Sequence, residues 1–245
     1  MFARRCLLAL LLCLPCIAQA DFLDAISNKD ASGGLKQALE QGASAAVATL
    51  WIKDGFQGNP KFRIPLPDAI EKMTPALRMM GRGKAVDELH LAMNRAAEAA
   101  VAEAKPLLLD AVKKMSVQDA KDIITGGDDS VTQYFRGKTL EALTQKFLPV
   151  VTRATSKLKL AEQYNRIASQ GATFGLVKDE DAKVEDFVTR HALNALYQRI
   201  ADEERAIRAN PAEAVGTLAR KILAARPRSC PSVPQACHAP RDRRF

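Results

Sequence analysis

The sequence predicts an all-α fold, on three observations. Alanine is abundant while aromatic residues make up only 5% of the chain, and alanine has the highest helix propensity. Apolar residues recur at spacings of three and four along most of the 245 residues, the period of a helix with one buried face. Alternation with period two, the mark of a half-buried strand, is missing except near "KFRIP" at 61–65. The expectation is one domain of about eight to nine helices over residues 33–225, without internal repeat or linker.

The first twenty residues stand apart. "MFARR" is a positive start, "CLLALLLCLPCIA" a short apolar run, and Ala18 and Ala20 form an A-x-A site. This is the pattern of a cleaved secretory signal. The apolar run is short of the ~20 residues that span a bilayer. Cys13 follows Leu12 and Cys16 follows Pro15, so neither has the small preceding residue of a lipoprotein site. The expectation is export to the periplasm, with a mature chain from Asp21 and a short polar lead over 21–32.

The helices follow in order. Leu35, Ala38, Leu39, Gly42, Ala43, Ala46, Val47 and Leu50 form the first stripe, broadened by Trp51 and closed by Gly55 as a C-cap. "FQGNPKFRIPLP" reads as an extended connection with a brief strand-like piece. Pro67 opens the next helix, and Pro75 inside it predicts a kink or break. Gly81 and Gly83 mark a turn. Val86, Leu89, Met93, Ala97 and Ala100 stripe a strong helix, and Pro106 restarts one after it. Ser116 and Asp119 have capping-box spacing and start a short helix that stops at Gly126-Gly127, where glycine would supply positive φ. Asp128 or Asp129 is expected to cap a helix from Ser130, with Ser130 and Gln133 in a second capping-box register. Pro149 is expected to open another helix to about Ala168. "SQGATFGLVKD" reads as a loop, 180–209 as a long amphipathic helix, and Pro211 opens a last helix to 224. The tail, 226–245, is rich in proline and arginine and is expected to be disordered.

Charge excludes one class of function. The formal net charge is +8, of which Arg4 and Arg5 carry two and the tail four, leaving about +2 on 21–225. That is no basic face for nucleic acid. Cys230 and Cys237, left after the signal is removed, could pair as a disulfide that staples only the tail.

No phosphate loop, H-E-x-x-H or G-x-S-x-G stretch occurs, and no cofactor or metal is expected. His90, His191 and His238 stand alone, and with the late cysteines they do not complete a zinc set. Asn94, Arg95 and Glu98 share one helical side. They read either as a polar cluster on a cleft wall or as a structural pair. In the second case the arginine would need a partner such as Asp119, Asp128 or Asp129. "GGDDSVTQYF" offers hard oxygen ligands but lacks the acidic spacing of a calcium loop, so turn and cap are the expectation. Tyr134 is placed to send its hydroxyl to a polar partner. Glu204 and Arg208 read as a solvated i,i+4 pair.

Six blocks occur in order: "GLKQALEQGASAAV", "IPLPDAIEKMTPALRMMG", "NRAAEAA", "MSVQDAKDIITGGDDSVTQYFRGKT", "FLPVV" and "DEERAIRANP". In these the chain resembles the bacterial domain-of-unknown-function 4197 family over about 33–225. The resemblance implies an exported helical protein without an established activity. The family's motif positions match at Asn94, Arg95, Glu98, Asp119, Asp128, Asp129, Tyr134, Phe135 and Thr139, and all of these except Phe135 are the candidate binding residues. The tail after Ala225 departs from the family's ending.

Three functions are compatible with these features. The first is a non-catalytic periplasmic binding or interaction protein holding a small apolar ligand between helices. The second is a structural or oligomerising domain. The third, with least behind it, is a hydrolase-type enzyme using Glu98, Asp128 or Asp129.

Overall fold

The computed structural model describes residues 28–174 and 177–209. The signal segment, the 211–224 helix, the tail, His238 and the Cys230–Cys237 pair lie outside the described residues. All regular secondary structure among those described is helical: α1 Asn28–Leu50, α2 Asp68–Met79, α3 Gly83–Ala102, α4 Ala104–Lys113, α5 Val117–Thr125, α6 Ser130–Thr155, α7 Lys159–Thr173 and α8 Val184–Ala209, with a 3-10 turn at Asp179–Asp181. None of these helices is long and apolar enough to cross a membrane.

The core is built around α3, α6 and α8. Helix α6 packs most extensively on α8 and then on α3, while α1 lies across α4 and α8. Apart from Thr132, the buried residues of α6 fall at every fourth position: Val131, Phe135, Thr139, Leu143, Phe147, Val151 and Thr155. Each step of four residues overshoots a full turn by about 40°, so this line winds around the helix. One helix thereby serves several neighbours. Helix α8 runs antiparallel to it and meets it through polar pairs along its length, among them Thr132 with Glu204, Thr139 with Tyr197, and Thr155 with Glu185.

Several local expectations are corrected. Helix α1 begins at Asn28, so 28–32 belong to it rather than to a lead. Trp51 is exposed rather than part of the buried face. The left-handed residue after α1 is Asp54 (φ 68°), not Gly55. Gly55 is needed for a different reason: a Cβ there would lie 2.5 Å from the carbonyl oxygen of Leu50. The connection through 61–65 forms no strand; its main chain bonds to side chains of α3 instead.

Pro75 and Pro149 sit inside continuous helices. A proline within a helix removes one hydrogen bond and costs about 3 kcal/mol. Here the prolines and the residues four before them, Glu71 and Gln145, are all exposed. The freed carbonyls therefore meet water, and the buried faces on either side carry the helix through. The predicted start at Pro149 moves to Lys159, after Ser156–Leu158 end α6. Ser169–Thr173 is helical rather than loop, and α8 starts at Val184 rather than 180.

Candidate functional site

The predicted site residues make their bonds in two separate neighbourhoods. The first lies on α3. Asn94 is fully buried: its Oδ1 accepts the Ile64 N–H at 2.8 Å, and its Nδ2 donates to the carbonyls of Ile64 (3.1 Å) and His90 (2.9 Å). His90 adds a ring nitrogen 2.9 Å from the same Ile64 oxygen. Glu98 Oε1 accepts the N–H groups of Phe56 (3.2 Å) and Gln57 (3.3 Å), while Oε2 pairs with Arg95 at 2.7 Å. The Arg95 partners are Glu98 and Asp54 (2.7 Å), not the anticipated Asp119, Asp128 or Asp129. Asp54 was missed because it is 41 residues away and its turn leaves no periodic signal. The whole cluster pins the 51–67 connection to α3.

The second neighbourhood is the corner of α4, α5 and α6. Ser116 and Asp119 form the expected capping box, and Lys138 lies 3.4 Å from Asp119. The Ser116 hydrogen bonds, foremost, hold the Asp119 carboxyl below its usual range. Tyr134 donates to the carbonyl of Ala111 at 2.7 Å, and burial, with the Asp119 charge behind it, pushes its hydroxyl up to about 12. Thr139 donates to the Phe135 carbonyl (2.6 Å) and lies 3.0 Å from the Tyr197 hydroxyl.

The turn at 126–129 works differently from the expectation. Gly126 has φ −76°, so no left-handed cap is needed; a Cβ there would lie 2.5 Å from the Asp122 carbonyl. Asp129 occupies the N-cap of α6 without a side-chain cap bond and instead accepts from Gln133 (3.1 Å). Asp128 is exposed in the same turn. The second capping box does not form: Ser130 Oγ donates to the Ile123 carbonyl at 2.8 Å.

The group that caps α6 is Glu204. Its carboxylate accepts the N–H groups of Val131 and Thr132, both at 3.1 Å, and the Thr132 hydroxyl at 3.0 Å. The positive end of a helix favours such a carboxylate. Arg208 completes the arrangement, bonding Glu204 Oε1 at 2.9 Å and the Ser130 hydroxyl at 2.8 Å. The Glu204–Arg208 pair is therefore buried and structural, not solvated.

This pair stands at the edge of a cleft between α1, α6 and α8. Leu35 and Leu39, Val131 and Phe135, and Ile200 and Ile207 face it in helix pairs, and the free volume between them is about 30 Å³. The gap exists because α1 presents Ala38 and Gly42 there. A Cβ at Gly42 would sit 3.9 Å from Ile207 Cδ1, so ordinary side chains would begin to fill it. None of the candidate binding residues lines this cleft. Its signal in the sequence was Ala38 and Gly42, two of the four small residues on the α1 stripe.

Residues 25–224 match the family described as "Protein of unknown function (DUF4197)". The chain belongs to this family. No match was found among curated proteins or among solved structures. In this DUF4197 chain, no group of three or more His, Cys, Asp or Glu residues is placed to hold a metal ion among the described residues.

Proposed function

We propose that this chain is an exported, non-catalytic binding protein that holds a small apolar ligand in the cleft between α1, α6 and α8. The supporting observation is the cleft itself: three pairs of large apolar side chains around a gap left by Ala38 and Gly42. Ligand sites are characteristically concave and mostly apolar, with few polar groups at fixed places. The charged groups here are already paired, Glu204 with Arg208 and Glu203 with Arg199, so an apolar guest would leave none of them without a partner. The positive, apolar and A-x-A order of residues 1–20 supports export to the periplasm.

The test is native mass spectrometry of residues 21–245 purified gently from a periplasm, repeated after denaturation. An extra mass lost on denaturing, and absent from a Gly42→Leu variant, is the expected result. Identical masses in both samples would overturn the proposal.

A second reading is an oligomerising domain, favoured by Met73 in the middle of α2 and Met79 and Met80 at its end, which are 54%, 90% and 72% exposed. Exposed apolar side chains in one place mark interaction surfaces. A dimer mass abolished by Met79→Glu would select it. The enzyme reading has less support: the Glu98 carboxylate is already bonded to two backbone N–H groups and to Arg95.

A further inference from the structure

We propose that the mouth of the apolar cleft is a docking surface for the chain's own 211–224 segment, which folds back on it as an amphipathic helix. The inference concerns the mouth alone and does not rest on a ligand being held beneath it.

The mouth lies where the chain leaves α8. Of the lining residues, Gly42, Glu203, Ile207 and Arg208 are half-buried, while the rest are buried. The opening therefore sits between Gly42 of α1 and the last turns of α8, which ends at Ala209. Glu203 and Arg208 are paired with Arg199 and Glu204. What the opening leaves uncovered is apolar: Ile207, and Gly42, where a Cβ would meet nothing closer than 3.9 Å. Asn210 and Pro211 follow directly. A residue before proline is biased away from helical backbone, so the sequence calls for a turn there rather than an extension of α8 away from the cleft.

The segment has a face that needs cover. Val215, Leu218, Ala219, Ile222 and Leu223 recur at spacings of three and four, with Glu213, Thr217, Arg220 and Lys221 on the opposite side. Isolated helices shorter than about 12–15 residues are marginal in water, and in proteins they owe their stability to packing of the apolar face. The stripe, 215–223, has the same rise as the α1 lining, 35–43, about 12 Å at about 1.5 Å per residue. The family match runs to 224 and stops with this pattern, ahead of the proline- and arginine-rich tail, so the segment belongs to the domain. A second copy could offer the same stripe. The chain's own copy starts beside the mouth, and a tethered partner has the advantage in effective concentration.

The experiment is hydrogen exchange read by mass spectrometry on residues 21–245 at two protein concentrations, for the parent, Gly42→Lys and Leu218→Glu. In the parent, amides of 214–224 should exchange about tenfold or more slower than an unstructured chain, equally at both concentrations. Gly42→Lys sets a charged side chain across the mouth beside Glu203, and lysine has a better helix propensity than glycine. It should return 214–224 to unstructured rates while amides in the middle of α6 keep their protection. Leu218→Glu, which breaks the stripe, should do the same. Unprotected amides over 214–224 in the parent would overturn the proposal. So would protection that survives either variant, which would place the segment elsewhere. Protection that falls on dilution would overturn it too and assign the mouth to a second copy. None of these outcomes depends on a mass lost on denaturing, so this proposal and the binding proposal fail separately.

Discussion

Glu204 and Thr132 are 72 residues apart and share one carboxylate oxygen: Glu204 Oε2 accepts both the N–H of Thr132 at 3.1 Å and its hydroxyl at 3.0 Å. The bond joins the last turns of α8 to the first turn of α6. Glu204→Ala would strand two N–H groups and the Arg208 guanidinium, and should cost about 3 kcal/mol. Thr132→Val removes only the hydroxyl and should cost about 1 kcal/mol. Urea unfolding of each variant checks both values. A loss under 1 kcal/mol for Glu204→Ala would show that the cap contributes little.

Asn94 serves the connection as a neighbouring strand would, taking both the N–H and the C=O of Ile64. Asn94→Leu should cost about 2 kcal/mol, since two buried backbone groups lose their partners. Hydrogen exchange gives the sharper readout. The Ile64 amide should lose protection while amides in the middle of α6 keep theirs.

Gly126 and Gly127 should respond differently to alanine. At Gly126 the new Cβ meets the Asp122 carbonyl at 2.5 Å, whereas at Gly127 the nearest contact is Asp129 Oδ1 at 3.4 Å. Gly126→Ala should lower stability by about 1–3 kcal/mol, the usual cost of forcing a backbone shift. Gly127→Ala should stay within about 0.5 kcal/mol of the parent. Thermal melts of the two variants side by side make the comparison.

His191 gives a pH dependence. Burial, and then the Arg190 charge, hold its pKa below the ordinary 6.5. The folded state therefore binds its proton less readily than the unfolded chain. Its contribution is fully present above about pH 6.5 and is lost as pH falls toward the depressed folded value. His191→Phe should flatten that part of the stability profile between pH 7.5 and 5. An unchanged slope would place the dependence elsewhere.

Much of the fold was legible because its causes are local. The stripe on α3, the capping box at Ser116 and the restart near Pro106 each follow from neighbours within one turn. Failures came where distant groups decide. Glu204 and Arg208 have the same i,i+4 spacing whether they face water or the start of α6, so spacing alone could not reveal the cap. Pro149 looked like a helix start because its cost is local, while the burial of Phe147 and Val151 that offsets it is tertiary. Asn94, Arg95 and Glu98 were read as one polar side of a helix, which they are. Their partners in 54–64 leave no trace in periodicity. The apolar cleft was least legible, because a gap between three helices depends on where all three lie.

The polar attachment of the 51–67 connection is written in the side chains of α3, to which the connection offers peptide groups and the Asp54 carboxylate. The amides of Phe56, Gln57 and Ile64 that Glu98 and Asn94 hold exist in every residue except proline. Gln57, whose own side chain oxygen finds no partner, is therefore interchangeable at the level of this bond. The same holds for no position of the Asn94–Glu98 pair. At these three amides the helix reads the course of a passing chain without reading its sequence, while Gly55, Asp54 and the buried Phe56, Phe62, Ile64 and Leu66 are where the spelling of the connection is fixed.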